Sequence, residues 1–185
     1  KRCAQCLPDR DALTIRLEQQ VEQVANALNA AGLCFGHGTD NAFDEAAWLV
    51  LEACELDPSG DEVPWDQVLT ARQQASVQAL LERRIQTGEP LAYLVNRAWF
   101  AGHDFFVDPR AIVPRSHIGE WIPDRFSPWR VERPAASILD LCTGSGCIAV
   151  ALALAFPEAQ IDASDISASA VAAGRPLRRA GSSPL

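Results

Sequence analysis

The sequence predicts an α/β protein in which a small helical part and a β-hairpin precede the first βαβ unit of a parallel sheet. Three observations carry this. Residues Ser137–Ala149 read as a strand, a glycine turn and the start of a helix, and a second strand, Gln160–Ser164, ends at Asp165. Apolar residues before position 88 recur at helical spacing. From Pro90 the period changes to that of strands. The resulting divisions are 1–88 for the helical domain, 89–135 for the hairpin and linker, and 136–185 for the α/β part.

The first helix spans Asp11–Ala31. Leu13, Leu17, Val21, Val24, Leu28 and Ala31 fall on one face, and Gly32 is a natural stop. Lys1–Arg10 reads as a frayed end. Its Cys3-x-x-Cys6 lacks a second cysteine pair, so it is not read as a zinc site. Gly36-His37-Gly38-Thr39-Asp40-Asn41 is a loop whose Asp40 or Asn41 caps the next helix, which runs to about Glu55. His37 is read as a hydrogen-bonded loop histidine rather than a catalytic one. A third helix, Thr70–Thr87, places Val77, Leu80, Leu81 and Ile85 on one side and stops at Gly88.

Leu94–Phe100 and His103–Asp108 flank Ala101-Gly102 and predict a β-hairpin crowded by Trp99, Phe100, Phe105 and Phe106. Two prolines stiffen Asp108–Arg115. Arg115 at its end is a substrate-side candidate able to hold an acidic or amide partner, with a solvated arginine as the alternative. Ser116–Phe126 is predicted to be a helix burying Ile118, Trp121 and Ile122. A Pro-rich linker then leads to the buried strand Ile138–Leu141.

The chemistry concentrates at the glycine turn. Gly144 and Gly146 let a ligand approach the backbone, and the helix that follows starts with free N–H groups. Asp165 lies 19 positions after Gly146, about where an acid meets a ribose in nucleotide-binding βαβ units. Gly144-x-Gly146-x-x-Ala149 also satisfies a dinucleotide fingerprint. However, Asp140 stands four positions before the first glycine, and a carboxylate there repels a pyrophosphate. S-adenosyl-L-methionine carries no phosphate and is cationic at its amino and sulfonium groups. Asp140 therefore favours that ligand over a nicotinamide or flavin nucleotide. A structural turn without ligand is the third possibility.

Bulk properties narrow the classes. The chain has 185 residues, 48% hydrophobic and 22% charged, with a net charge of −8. Such a balance is ordinary for a globular protein and argues against a general nucleic-acid grip, while allowing a basic protein partner. Six cysteines are too few and too scattered for a secreted disulfide scaffold. The longest apolar run, Cys147–Phe156, is too short to span a bilayer, and no signal peptide opens the chain. These features lead to the expectation of a cytoplasmic protein without membrane contact. The sequence has no methionine, and its true start is expected upstream.

Several stretches together resemble the protein-glutamine N5-methyltransferases. They are Phe35–Ala46, Pro90–Leu94, Ala98–Asp108, Val113–Ser116 and Leu139–Cys147, within a resemblance covering roughly residues 11–173. The Gly-His-Gly-Thr-Asp-Asn loop and Cys142 are most similar to the branch that modifies a glutamine on ribosomal protein three of the large subunit. The release-factor branch usually has glycine at the position of Cys142. The resemblance implies a helical N-terminal domain, a hairpin linker and the first part of a Rossmann-like S-adenosylmethionine-dependent domain. It further implies that Cys142, Thr143, Gly144, Ser145 and Gly146 line the methyl-donor site and that Asp165 accepts from the ribose hydroxyls.

In that family an Asn-Pro-Pro-Tyr segment holds the glutamine amide, whose nitrogen is a poor nucleophile that needs in-line positioning. This sequence contains no such segment, so no catalytic residue is assigned. Only the 50 residues Ala136–Leu185 make up the α/β part, too few for a full doubly wound sheet. Gly174–Leu185 breaks the last helix and carries three arginines without an acid, which suggests a frameshift or shortened frame. Methyl transfer is thus the first expectation. A non-catalytic module that docks ribosomal protein is the second, and a nicotinamide-dependent oxidoreductase the third.

Overall fold

The computed structural model describes residues 15–58, 62–129 and 134–173, and the backbone of 175–176. Lys1–Arg10 with Cys3 and Cys6, and most of the Gly174–Leu185 tail, lie outside the described residues. The chain divides into two compact units, Lys1–Glu89 and Pro90–Leu185. The charge divides with them. Residues 1–89 carry seven Lys or Arg against fifteen Asp or Glu, whereas residues 90–185 carry nine of each.

Among its described residues the first unit has three helices, α1 (Leu17–Ala30), α2 (Ala42–Ala53) and α3 (Ala71–Thr87). Leu17, Val21, Val24 and Leu28 of the predicted α1 face are buried, whereas Ala31 is exposed at the helix end and Leu13 lies outside the described residues. The helix begins later than expected because the chain just before it is extended. Leu69 donates its N–H to the Ile15 carbonyl at 2.9 Å and Leu17 donates to Gln67 at 2.9 Å, so this backbone pairs with residues 65–69. Asn41, not Asp40, caps α2: its side-chain oxygen accepts from the Phe43 and Asp44 N–H groups, each at 2.9 Å. Thr70 and Gln73 form a reciprocal capping box on α3, which ends at left-handed Gly88.

One expected core position of α3 is displaced. Ile85 is exposed, and its neighbour Arg84 is buried instead. Its Nε donates to Glu45 Oε1 at 2.7 Å, and its second terminal nitrogen donates to the Cys34 carbonyl at 3.2 Å. Glu45 Oε2 also accepts from the Thr39 hydroxyl at 3.4 Å. The Cys34–Thr39 segment is therefore tied to both α2 and α3. Gly38 has φ +114 and packs against Trp48, where a Cβ would sit 3.3 Å from the ring.

The second unit opens with the short helix α4 (Leu91–Val95), where a strand was expected from Leu94. Asn96, at φ 54, ends that turn, and the hairpin proper is β1 (Ala98–Phe100) with β2 (His103–Phe106). Ala98 pairs with Phe105 and Phe100 with His103 across the predicted Ala101-Gly102 turn, both of whose residues have positive φ. The helix expected over Ser116–Phe126 reduces to the single turn α5 (Ile118–Trp121). Pro123 supplies no N–H, and Arg125 and Phe126 take left-handed φ values of 52 and 61, which a helix cannot continue through. Of the three residues expected to be buried here, only Ile122 is; Ile118 and Trp121 are partly exposed.

The α/β stretch runs β3 (Ser137–Leu141), α6 (Cys147–Ala155), β4 (Gln160–Ser164) and α7 (Ala168–Ala173). Strands β3 and β4 are parallel, with Ile138 opposite Ile161 and Leu141 opposite Ser164. A last two-residue strand, β5 (Arg175–Pro176), adds antiparallel to β2. The expectation of a fully buried β3 is corrected. Asp140 is buried on the α6 side, whereas Leu139 and Leu141 on the other face are 61% and 71% exposed. A central parallel strand is covered on both faces; among the described residues β3 is covered on one.

Candidate cofactor-binding turn

The turn between β3 and α6 is held by two aspartates, one from each strand end. Gly146 precedes α6 with φ 80 and offers no side chain to cap it. Asp140 supplies the missing acceptor from the strand: its Oδ2 accepts from the Ala149 N–H at 3.1 Å and from the Thr143 hydroxyl. A carboxylate in this place satisfies one free N–H of the helix and meets its positive end.

Asp165 reaches back from the end of β4. Its Oδ2 accepts from the Gly144 N–H at 2.9 Å and its Oδ1 from the Ser167 N–H at 2.8 Å. These two backbone donors, Ser167 foremost, hold its carboxyl below the usual carboxylate range. Each oxygen keeps one further acceptor position. Thr143 donates its own N–H to the Ser164 carbonyl at 3.0 Å, so the turn is stitched to β4 by its backbone as well.

The predicted residues divide accordingly. Asp140, Thr143, Gly144 and Asp165 are brought together by these bonds. Gly144, at φ +59, and Gly146 both have open space where a Cβ would stand. Cys142 is exposed at left-handed φ 64, a conformation that glycine takes without strain. Ser145 points inward, its hydroxyl 3.1 Å from the buried Cys147 thiol. Burial pushes that thiol up to about 11. Arg115 is exposed and in the field of the Tyr93 phenol.

Three contributors escaped sequence reasoning. Ser164 acts through its carbonyl, which no side-chain pattern reveals. Ser167 was open to recognition, because Asp-x-Ser is a common turn in which the aspartate accepts from the backbone two residues on. Tyr93, the chain's single tyrosine, donates to the Ala111 carbonyl at 2.8 Å and accepts from the Val113 backbone. It thereby pins the stiff segment that leads to Arg115.

A strand, a glycine turn with an internally capped helix, and an acid at the next strand end thus come together in one turn. Residues 19–95 match the family of PrmC N-terminal domains. The chain is 47% identical over 157 residues to the ribosomal protein uL3 glutamine methyltransferase of Burkholderia pseudomallei, covering 84% of this chain and 51% of that protein. It is 43% identical over 160 residues to the protein of the same name in Bordetella pertussis, covering 84% and 52%. For the one in Neisseria meningitidis serogroup B the identity is 47% over 146 residues, covering 78% and 48%. Over the aligned span the chain is thus similar to proteins named ribosomal protein uL3 glutamine methyltransferase, and residues 19–95 are similar to the PrmC N-terminal domain. It spans about half the length of these curated relatives. No helix among the described residues is long and apolar enough to cross a membrane.

Proposed function

We propose that this chain carries the methyl-donor turn of an S-adenosyl-L-methionine-dependent enzyme that methylates a glutamine side chain on a large-subunit ribosomal protein. The observation that carries the proposal is the Asp140–Ala149 hydrogen bond of 3.1 Å. In dinucleotide-binding turns the helix start receives a pyrophosphate. Here a carboxylate of the protein itself occupies that electrostatic position. An added anion meets repulsion, while a cationic donor does not.

In this reading Cys142, Thr143, Gly144, Ser145 and Gly146 form the wall of the donor site. Thr143, Gly144 and Gly146 present backbone, and Ser145 supports from beneath. Asp165 offers its remaining acceptor positions to the ribose hydroxyls. Asp140 contributes negative charge on the side of the donor's cationic groups. The donor, when bound, supplies an electrophilic methyl group. The protein's part is to orient it and exclude competing anions. Arg115 is the substrate-side candidate, held by the segment that Tyr93 pins.

The substrate reading draws on the relatives' names and on charge. The excess of acid in residues 1–89 suits a basic ribosomal protein, and its binding should weaken with salt.

Titration calorimetry with S-adenosyl-L-methionine and, separately, NAD tests the proposal. Heat with the first alone, abolished in Asp165→Ala, is the expected result. NAD binding where the methyl donor shows none would overturn the cofactor assignment.

A further inference from the structure

Tryptophan is a large side chain that proteins bury for the most part, yet two of the chain's five lie together at the surface. Trp121, the last residue of α5, and Trp129 are 42% and 70% exposed, and their rings pack at a centroid distance of 5.2 Å, tilted by 54°. The chain between them makes this contact. Phe126 donates its N–H to the Trp121 carbonyl at 3.0 Å, Arg125 to Ile122 at 2.9 Å and Ser127 to Asp124 at 2.9 Å, so residues 121–127 fold into one compact turn. The turn is anchored at the end of α6. Arg125 pairs with Glu158 and lies over the Phe156 ring, and Phe126 stacks on the same ring at 6.3 Å. Ile122 and Phe156 are buried, while the two indoles stay outside. The pair is thus held in place before any partner arrives, which lowers the cost of ordering it on binding.

The surroundings select the partner. The face of an indole ring attracts a cation. The exposed acids Glu120 and Asp124 flank Trp121 in the chain, and Arg125, the one arginine of residues 116–129, is engaged by Glu158. Such a surface repels the phosphates of a nucleic acid or an anionic lipid and suits a guanidinium or ammonium group. We propose that the Trp121–Trp129 pair is the docking surface for an arginine- or lysine-bearing segment of the ribosomal-protein substrate, an inference that rests on the substrate reading above. One cationic side chain of that segment stacks on the open face of Trp129, and its aliphatic stem covers Trp121. Glu120 and Asp124 receive the neighbouring basic residues. The tryptophans are the anchor and the two acids the polar rim.

The test measures binding of the chain to recombinant ribosomal protein uL3 of Burkholderia pseudomallei and, separately, to an octa-arginine peptide, by biolayer interferometry. Trp129→Ala is expected to weaken both by about tenfold, and Trp121→Ala/Trp129→Ala by more. Trp129→Leu keeps apolar area but loses the ring face, and should fall with the alanine variant. Trp65→Ala, at an exposed tryptophan of the first unit, should change neither. Both patch residues are exposed, so their variants keep the circular-dichroism spectrum of the parent. Four results would overturn the proposal: no binding of either probe by the folded chain, binding indifferent to the double variant, a Trp129→Leu variant as tight as the parent, or a dimer of this chain that the double variant disperses. Octa-arginine held through the tryptophans beside no binding of uL3 would keep the cation surface and overturn the ribosomal-protein partner, so the two failures are distinct.

Discussion

Asp140 and Ala149 stand nine positions apart, on different elements, and a single 3.1 Å hydrogen bond joins the strand's carboxylate to the helix's third N–H. The bond does for α6 what a capping serine or threonine does elsewhere. Asp140→Ala removes the acceptor and leaves the Thr143 hydroxyl and the Ala149 N–H without their partner. The expected loss is about 1–3 kcal/mol in urea unfolding. Asp140→Asn keeps an oxygen and loses the charge, and should cost about 1 kcal/mol or less. Equal losses for the two variants would show that the cap is not the source.

The buried pair Arg84–Glu45 makes a sharper prediction. Arg84→Met strands a carboxylate in the helical core and should cost about 3–5 kcal/mol. Arg84→Met combined with Glu45→Leu should recover most of that loss. A double-mutant cycle by chemical denaturation measures the coupling, and additive losses would refute the pair's mutual dependence.

Cys147 gives a pH dependence. Its thiol is pushed up to about 11 from the ordinary 9.0, chiefly by burial. The unfolded chain ionises first, so stability from this group is complete below about pH 9 and falls as pH rises toward about 11, by roughly 3 kcal/mol. Cys147→Ala should flatten that alkaline limb. In the native state a thiol reagent should label the exposed Cys34 and Cys142 well before the buried Cys147 and Cys54.

Tyr93→Phe removes one donated and one accepted hydrogen bond from the 111–113 backbone. A loss of about 1–2 kcal/mol is expected, with faster amide exchange at Val113 than elsewhere in the unit. Unchanged exchange at Val113 would show that the phenol does not hold the segment.

Much of this molecule was legible beforehand. The α1 face, the Asn41 cap region, the Thr70–Gly88 helix and the Ala101-Gly102 turn were readable because spacing and local turn chemistry determine them. So were β3, α6 and β4, and the glycine turn with its two acids. What escaped was whatever depended on distant partners. Periodicity placed Ile85 in the core, but Glu45, thirty-nine positions away from Arg84, draws the arginine inward instead. The short α5 reflects Pro123 and two left-handed residues after it, a local signal that the apolar spacing of Ile118, Trp121 and Ile122 obscured. The apolar run Ile138–Leu141 announced a buried strand, yet burial is decided by what covers each face, and a run of letters does not carry that. At the turn itself, residue types indicated a ligand site, while the division between inward Ser145 and outward Cys142 came only with the backbone.

The borrowed cap on α6 also bears on how the chain acquires its shape. A nine-residue helix with no side chain of its own to begin it is too short to persist in isolation. Its start depends on a strand residue already in position. During synthesis β3 emerges first, so the acceptor is waiting when the sequence of α6 leaves the ribosome. Strand, turn and helix therefore form as one cooperative step, and damage to any of the three is felt as loss of all of them.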